Sequence, residues 1–143
     1  MQNGATHTEF IRGKADGKWY FLETSSRVGG AHIPDLVEAS SGINIWREWA
    51  KIEDALLRNK SYEVAKPTGF SAGLIIALAK ELKPDYEEFE CEEVVRFLQI
   101  DYHVGIVYKS DKMEMVQQRL DEAAEKINDH HLNILPQKSK PSS

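Results

Sequence analysis

Alternating apolar and polar positions predict a β-hairpin near the beginning of the chain. The segments Thr8–Arg12 and Lys18–Glu23 are rich in β-branched and aromatic residues, and glycines lie between them. The intervening Ala15–Gly17 fits a three-residue hairpin loop, with Gly17 in the left-handed conformation that such loops require. A turn centred on Asp16 predicts three cross-strand pairs: Arg12 with Tyr20, Ile11 with Phe21, and Glu9 with Glu23.

Helical periodicity follows the hairpin. We predict a short helix over Ile33–Ser40, because the proline at position 34 is tolerated in a first helical turn. Asn44 is the predicted cap of a longer helix over Ile45–Leu57, whose apolar residues fall on one face. We interpret that face as part of the core rather than as a ligand site; its residues are Trp46, Trp49, Ile52, Leu56 and Leu57.

The second half of the chain predicts alternating strands and helices. Apolar alternation after a linker with proline and glycine favours a buried strand over Ser71–Ala79, with a helix as the competing interpretation. Asp111–Asn128 has an amphipathic helical pattern, and Ser110 is its predicted cap. A strand, helix, strand, helix order gives a small α/β layer. The middle two elements are a predicted helix over Glu92–Gln99, which would bury Val94, Val95 and Leu98, and a predicted strand over Tyr102–Lys109.

The composition fits a folded chain with one domain, or one domain and a small appendage. The 143 residues are 41% hydrophobic and 29% charged, which is enough apolar content for a core. A net charge of −5 argues against nucleic acid as a partner, since phosphate binding needs a basic surface. The lone Cys91 fits a reducing compartment. The sequence contains no apolar run of about 18 residues, which is the length that would predict a membrane span. We therefore expect a cytoplasmic chain without a membrane partner.

Two carboxylates are the main chemical signal in the hairpin. If Glu9 lies directly opposite Glu23, their Cβ atoms are about 4.5–5.5 Å apart, and like charges at that spacing destabilise a sheet unless a cation lies between them. Mg²⁺ and Mn²⁺ are suitable cations because they prefer oxygen ligands. The alternative is an ordinary exposed hairpin with two solvated glutamates.

The histidines predict no zinc centre. The five histidines show neither H-x-x-x-H nor H-E-x-x-H spacing. His130 and His131 follow a predicted helix, where they would complement the helix dipole. His32 follows a glycine pair, and either a substrate contact or a local hydrogen bond would explain it.

Glu9 together with the later segment ETSSRVGGAH (23–32) resembles the metal- and phosphate-binding end of ATP-grasp enzymes, in the biotin carboxylase-like branch and its carboxylate–amine ligase relatives. The resemblance implies that Glu9 and Glu23 bind Mg²⁺ (or Mn²⁺) at the phosphates of ATP, and that Arg27 stabilises the reacting acyl phosphate or carboxylate. It also implies that Ile11 faces the adenine. Ser25 replaces the usual asparagine as a weaker third metal ligand. Ala31 replaces a glutamate of the biotin carboxylases, which favours the ligases.

The resemblance covers only the C-terminal part of such enzymes. It implies an α+β fold: a β-hairpin plus helices of the ATP-grasp C-terminal lobe (1–60) and a small α/β closing module (61–135). The polar tail (136–143) is expected to be disordered. In a complete relative, ATP would activate a small-molecule carboxylate as an acyl phosphate, which an amine or similar nucleophile would attack.

Without the N-terminal ATP-binding half, the isolated chain is expected to be inactive. The alternative is a non-enzymatic remnant, or a subunit that completes a partner ATP-grasp protein. The expected partners are therefore a complementary ATP-grasp half or further copies of the chain.

Overall fold

The computed structural model describes residues 4–132 and shows an α+β fold with two antiparallel sheets. The chain divides into two compact units, with the boundary between Phe70 and Ser71. The predicted tail over 136–143 lies outside the described residues, and the predicted domain boundaries stay predictions. The elements in chain order are β1 (His7–Arg12), β2 (Trp19–Ser25), α1 (Ile33–Ser41), α2 (Ile45–Leu57), β3 (Ser71–Leu78), a 3₁₀ turn (Glu87–Phe89), β4 (Val94–Phe97), β5 (His103–Ser110), α3 (Met113–Lys126) and a π-helical turn (Ile127–His131).

The hairpin of β1 and β2 confirms the opposition of Glu9 and Glu23. Beyond that pair the register shifts by one residue, so that Leu22 is the extra residue of a β-bulge. The predicted pairs of Ile11 with Phe21 and Arg12 with Tyr20 are therefore wrong. The observed pairs are Phe10 with Phe21, Ile11 with Tyr20, and Arg12 with Trp19.

The hairpin loop is one residue longer than predicted. The N–H of Gly13 donates to the Lys18 carbonyl at 2.9 Å, and the N–H of Gly17 donates to the Gly13 carbonyl at 2.9 Å. The loop therefore spans residues 14–17, with Gly17 in the predicted left-handed conformation at φ 67°. The carboxylate of Asp16 accepts hydrogen bonds from the Tyr20 hydroxyl at 2.6 Å and the Lys18 N–H at 3.1 Å. The hydrogen bond from Tyr20 is the main cause of a lowered pKa at the Asp16 carboxyl, and the hydrogen bond from the Lys18 N–H lowers this pKa further.

Both predicted helices of the first unit are confirmed. The side chain of Asn44 caps α2 by accepting the Arg47 N–H at 2.9 Å, which satisfies one of the unpaired donors of a first turn. The prediction that the apolar stripe of α2 is core is wrong for Trp46 (56% exposed) and for Leu56 and Leu57 (50% and 84% exposed). The other two residues of the stripe, Trp49 and Ile52, are half-buried. Ala55 is instead the buried residue of α2. An amphipathic pattern fixes which residues share a face, but burial also requires a surface that covers that face.

The second unit is a three-stranded antiparallel sheet with β5 in the centre, in the order β3-β5-β4. The predicted strand over Ser71–Ala79 and the strand over Tyr102–Lys109 are both confirmed, as β3 and β5. Helix α3 packs against β3 and β5. The core cluster of this unit comprises Ala79, Phe89, Val104, Ile106, Tyr108, Ala123 and Ile127.

The predicted helix over Glu92–Gln99 is wrong, because Val94–Phe97 is strand β4. Consequently Val95 is exposed, although Leu98 is buried as predicted. Strand β4 pairs with the central strand β5, which supplies hydrogen-bond partners for its backbone. The conformation of so short a segment depends on such a neighbouring strand. The order of this unit is therefore three strands followed by a helix, not strand, helix, strand, helix.

The final helix is confirmed, but its predicted cap is wrong. Ser110 ends β5, and α3 begins at Met113 after Lys112, which provides no side-chain cap. The Ser110 hydroxyl instead accepts the Lys112 N–H at 3.3 Å. Among residues 4–132, no helix is long and apolar enough to cross a bilayer.

Candidate functional site

One face of the hairpin carries most of the predicted site. Residues two apart on a strand share a face, so β1 places His7, Glu9 and Ile11 together. Their cross-strand partners on β2 are Ser25, Glu23 and Tyr20. The structure therefore brings Glu9, Ile11, Glu23 and Ser25 onto one surface, which we call the carboxylate face.

The opposite face of the hairpin is aromatic. The rings of Phe10 and Phe21 meet edge to face with centroids 6.0 Å apart, and the guanidinium of Arg12 lies 6.0 Å from the ring of Trp19. The bulge at Leu22 thus separates Ile11 from Phe21, which the predicted pairing placed together.

The two carboxylates differ in their surroundings. Oε1 of Glu9 lies 2.9 Å from Nε2 of His7, whereas the side chain of Glu23 forms no hydrogen bond or ion pair within the described range 4–132. Ser25 is half-buried at the end of β2. The carboxylate face therefore offers oxygen atoms that are not engaged by protein cations.

These donors suit a hard divalent cation. Across the described chain, no group of three or more histidine, cysteine, aspartate and glutamate side chains is arranged to hold a metal. Two carboxylates with a hydroxyl nevertheless fit Mg²⁺ or Mn²⁺, since these ions often take one or two protein carboxylates and complete their coordination with water and phosphate oxygens.

The glycine loop after β2 carries an available arginine. Arg27 is exposed, and its Nη1 donates to the Val28 carbonyl at 3.1 Å. Within the described part of the chain, no carboxylate pairs with its guanidinium. The neighbouring Val28 and Gly29 are buried and anchor the loop. The guanidinium fork thus remains available to an anion.

Two histidines have clear local roles. His32 is the N-cap residue of α1, with φ 60°. Its Nδ1 lies 2.9 Å from Oδ2 of Asp35. This contact is the local hydrogen bond that the sequence offered as one explanation of His32. His7 was not singled out as a site residue, although it shares the carboxylate face. Its position two residues before Glu9 on a strand was the signal that could have identified it.

A second charged cluster lies in the other unit. Nε2 of His131 lies 2.9 Å from Oε1 of Glu88, and Nδ1 of His130 lies 3.0 Å from Oε2 of Glu88. Burial raises the pKa of Glu88, but the hydrogen bonds from His131 and His130 outweigh it and hold this pKa below its ordinary value of 4.5. His131 is buried and Glu88 borders a cavity of about 340 Å³. The two histidines thus secure the end of α3 to the acidic 3₁₀ turn.

The α+β fold of the chain is similar to part of one solved enzyme structure. It is similar to the crystal structure of phosphoribosylglycinamide synthetase from Anaerococcus prevotii, with a TM-score of 0.50 and 18% sequence identity. The similarity covers 93% of this chain and 37% of that chain, so the chain spans well under half the length of this neighbour. At this identity the similarity shows the α+β fold alone. No family model matches the sequence, and no curated protein matches it either.

Proposed function

We propose that the chain is the C-terminal portion of an ATP- and Mg²⁺-dependent carboxylate–amine ligase that acts through an acyl phosphate. The observation that carries this proposal is the opposition of Glu9 and Glu23 on one hairpin face. Ser25 shares that face, and Arg27 follows in the glycine loop without a carboxylate partner among residues 4–132. The ATP-grasp-like fold supports the same conclusion.

Each residue has a role that its chemistry allows. Glu9, Glu23 and Ser25 would hold Mg²⁺ or Mn²⁺, which when bound neutralises and orients the phosphates of ATP. Arg27 presents fixed N–H donors to the anionic acyl phosphate. Ile11 is exposed on the carboxylate face and offers the adenine an apolar contact.

Catalysis in this proposal needs parts that the chain does not provide. The chain spans 37% of the structural neighbour, and the resemblance to ATP-grasp enzymes implies that the ATP-binding half belongs to the remaining part. A complementary ATP-grasp half, or further copies of the chain, would therefore be the partner, and a small-molecule carboxylate the substrate. We expect the isolated chain to be inactive.

Binding of Mn²⁺ tests the proposed site without requiring turnover. Water-proton relaxation should show Mn²⁺ binding to the wild type and its loss in Glu23→Gln, because this variant keeps the shape of the side chain but removes one of two opposed charges. Glu63→Gln removes an exposed carboxylate from the same unit and should bind like the wild type. Equal affinity in all three proteins would remove the metal role of Glu23.

A non-enzymatic subunit that completes a partner ATP-grasp protein is the second candidate. The observation that favours it is the exposure of large apolar residues on both faces of the hairpin: Ile11 (57%) on the carboxylate face and Phe21 (61%) on the aromatic face. Calorimetric titration with Mg·ATP, with and without a separate ATP-binding half, distinguishes the candidates. Nucleotide binding and ligation only in the mixture support the catalytic portion, whereas a tight complex without nucleotide binding supports the subunit.

A further inference from the structure

His7 contacts both the carboxylate face and the glycine loop. Its Nε2 lies 2.9 Å from Oε1 of Glu9, and because a carboxylate only accepts hydrogen bonds, Nε2 is the donor. The His7 side chain is 17% exposed, whereas that of Glu9 is 43% exposed. The better-packed ring can therefore restrain the more exposed carboxylate.

The other side of the imidazole rests on Gly29. A Cβ atom on Gly29 would lie 2.9 Å from Nδ1 and 3.3 Å from Cε1 of His7, and 3.3 Å from Cγ2 of Ile33. The ring thus occupies space that any side chain at position 29 would take. Gly30 differs, since the nearest atom to its added Cβ is Nη1 of Arg27 at 4.0 Å.

We propose that His7 is a positioning residue that orients Glu9 for the cation and ties β1 to the glycine loop at Gly29. This inference rests on the metal role proposed for Glu9 and Glu23. Ordering a glutamate side chain costs conformational entropy, and repulsion from Glu23 opposes a converged arrangement of the two carboxylates. A hydrogen bond to Oε1 fixes the Glu9 carboxylate and leaves its Oε2 for the cation. Such supporting hydrogen bonds orient metal ligands in proteins.

Two matched pairs of variants test this role through Mn²⁺ affinity, measured by water-proton relaxation. In His7→Gln the amide nitrogen can occupy the place of Nε2 and donate to Glu9, whereas in His7→Asn it reaches only the place of Nδ1. We expect His7→Asn to lose affinity by about 10- to 100-fold, as for other lost supporting hydrogen bonds, and His7→Gln to stay close to the wild type. A purely structural role would not separate these two polar variants.

The second pair leaves both carboxylates and His7 unchanged. Gly29→Ala should weaken Mn²⁺ binding because its Cβ displaces the imidazole, whereas Gly30→Ala should not. Circular dichroism confirms that each variant is folded, and the glycine pair decides the matter if His7→Asn does not fold.

The outcomes separate this inference from the proposed function. Wild-type affinity in His7→Asn and in Gly29→Ala, together with loss of binding in Glu23→Gln, would overturn the role of His7 and keep the metal site. Absence of Mn²⁺ binding by the wild type would overturn both.

Discussion

Glu88 shows how a single residue can link two parts of a unit that are distant in sequence. Its carboxylate accepts hydrogen bonds from His130 and His131, which follow it by more than forty residues. His131 is buried, and its Nδ1 lies 3.5 Å from Oε2 of Glu81. Because both ring nitrogens face carboxylates, the cluster depends on the ionised state of Glu88.

The lowered pKa of Glu88 predicts a loss of stability in acid. A carboxyl group with a folded-state pKa below its unfolded value of 4.5 stabilises the fold above that value, and this contribution is lost as the pH falls through the folded pKa. Glu88→Gln should therefore lower the free energy of unfolding near neutral pH by about 1–2 kcal/mol. It should also flatten the acid limb of the stability curve.

Urea unfolding monitored over a series of pH values measures this effect. Glu87→Gln, in the same 3₁₀ turn, is the matched control and should keep the wild-type pH dependence. Identical acid limbs for wild type and Glu88→Gln would show that the histidines do not stabilise the Glu88 carboxylate.

At the scale of elements, the contact between β3 and α3 depends on a residue without a side chain. Gly73 lies opposite Tyr108 in the sheet, and a Cβ at this position would lie 2.7 Å from Cγ1 of Val116 and 2.8 Å from Cδ1 of Leu120. Such distances are too short for carbon atoms in van der Waals contact. The helix therefore packs as closely as it does because position 73 is a glycine.

Gly73→Ala should destabilise the second unit. The added methyl group overpacks the interface, and relief requires movement of two side chains on α3, at a cost of about 1–3 kcal/mol. Ser71→Ala, two residues earlier on the same strand, should change stability by less than about 0.5 kcal/mol. Thermal and urea unfolding provide the measurement, and equal stability of Gly73→Ala and wild type would show that α3 adjusts freely.

At the scale of the whole molecule, the two units differ in how well they bury their sheets. Five consecutive residues of β5 are buried in the second unit. In the first unit, six of the seven residues of β2 are exposed and the described sheet has only two strands. A two-stranded hairpin is marginally stable in water unless another surface covers it, and its free edges favour association. We therefore expect the hairpin to be well protected only where another surface covers it.

Hydrogen exchange tests this interpretation. In a dilute sample proven to be monomeric, amides over 8–23 should exchange faster than those of β5, and their protection should increase with protein concentration or with an added ATP-grasp half. The amides of β5 serve as the internal control. Equal protection of the hairpin and β5 in the monomer would show that the first unit is self-sufficient and needs no partner.

Much of the fold could be predicted because its signals are local. The Asn44 cap, the left-handed Gly17 and the amphipathic pattern of α3 each depend on residues within a few positions of one another. The opposition of Glu9 and Glu23 was predicted correctly although the loop was not, because the bulge at Leu22 offsets the extra loop residue and restores the predicted register. The metal and phosphate roles of the site residues stay predictions.

The sequence by itself determined which segments form the hairpin and the three helices. The tertiary structure alone decided that Val94–Phe97 is a strand, that Leu22 bulges and that His7 rests on Gly29. It also decided that much of the apolar stripe of α2 is exposed. The physical reason is the range of the interactions: a cap or a helical period is satisfied by neighbours in sequence, whereas strand pairing and burial depend on a surface supplied by distant residues.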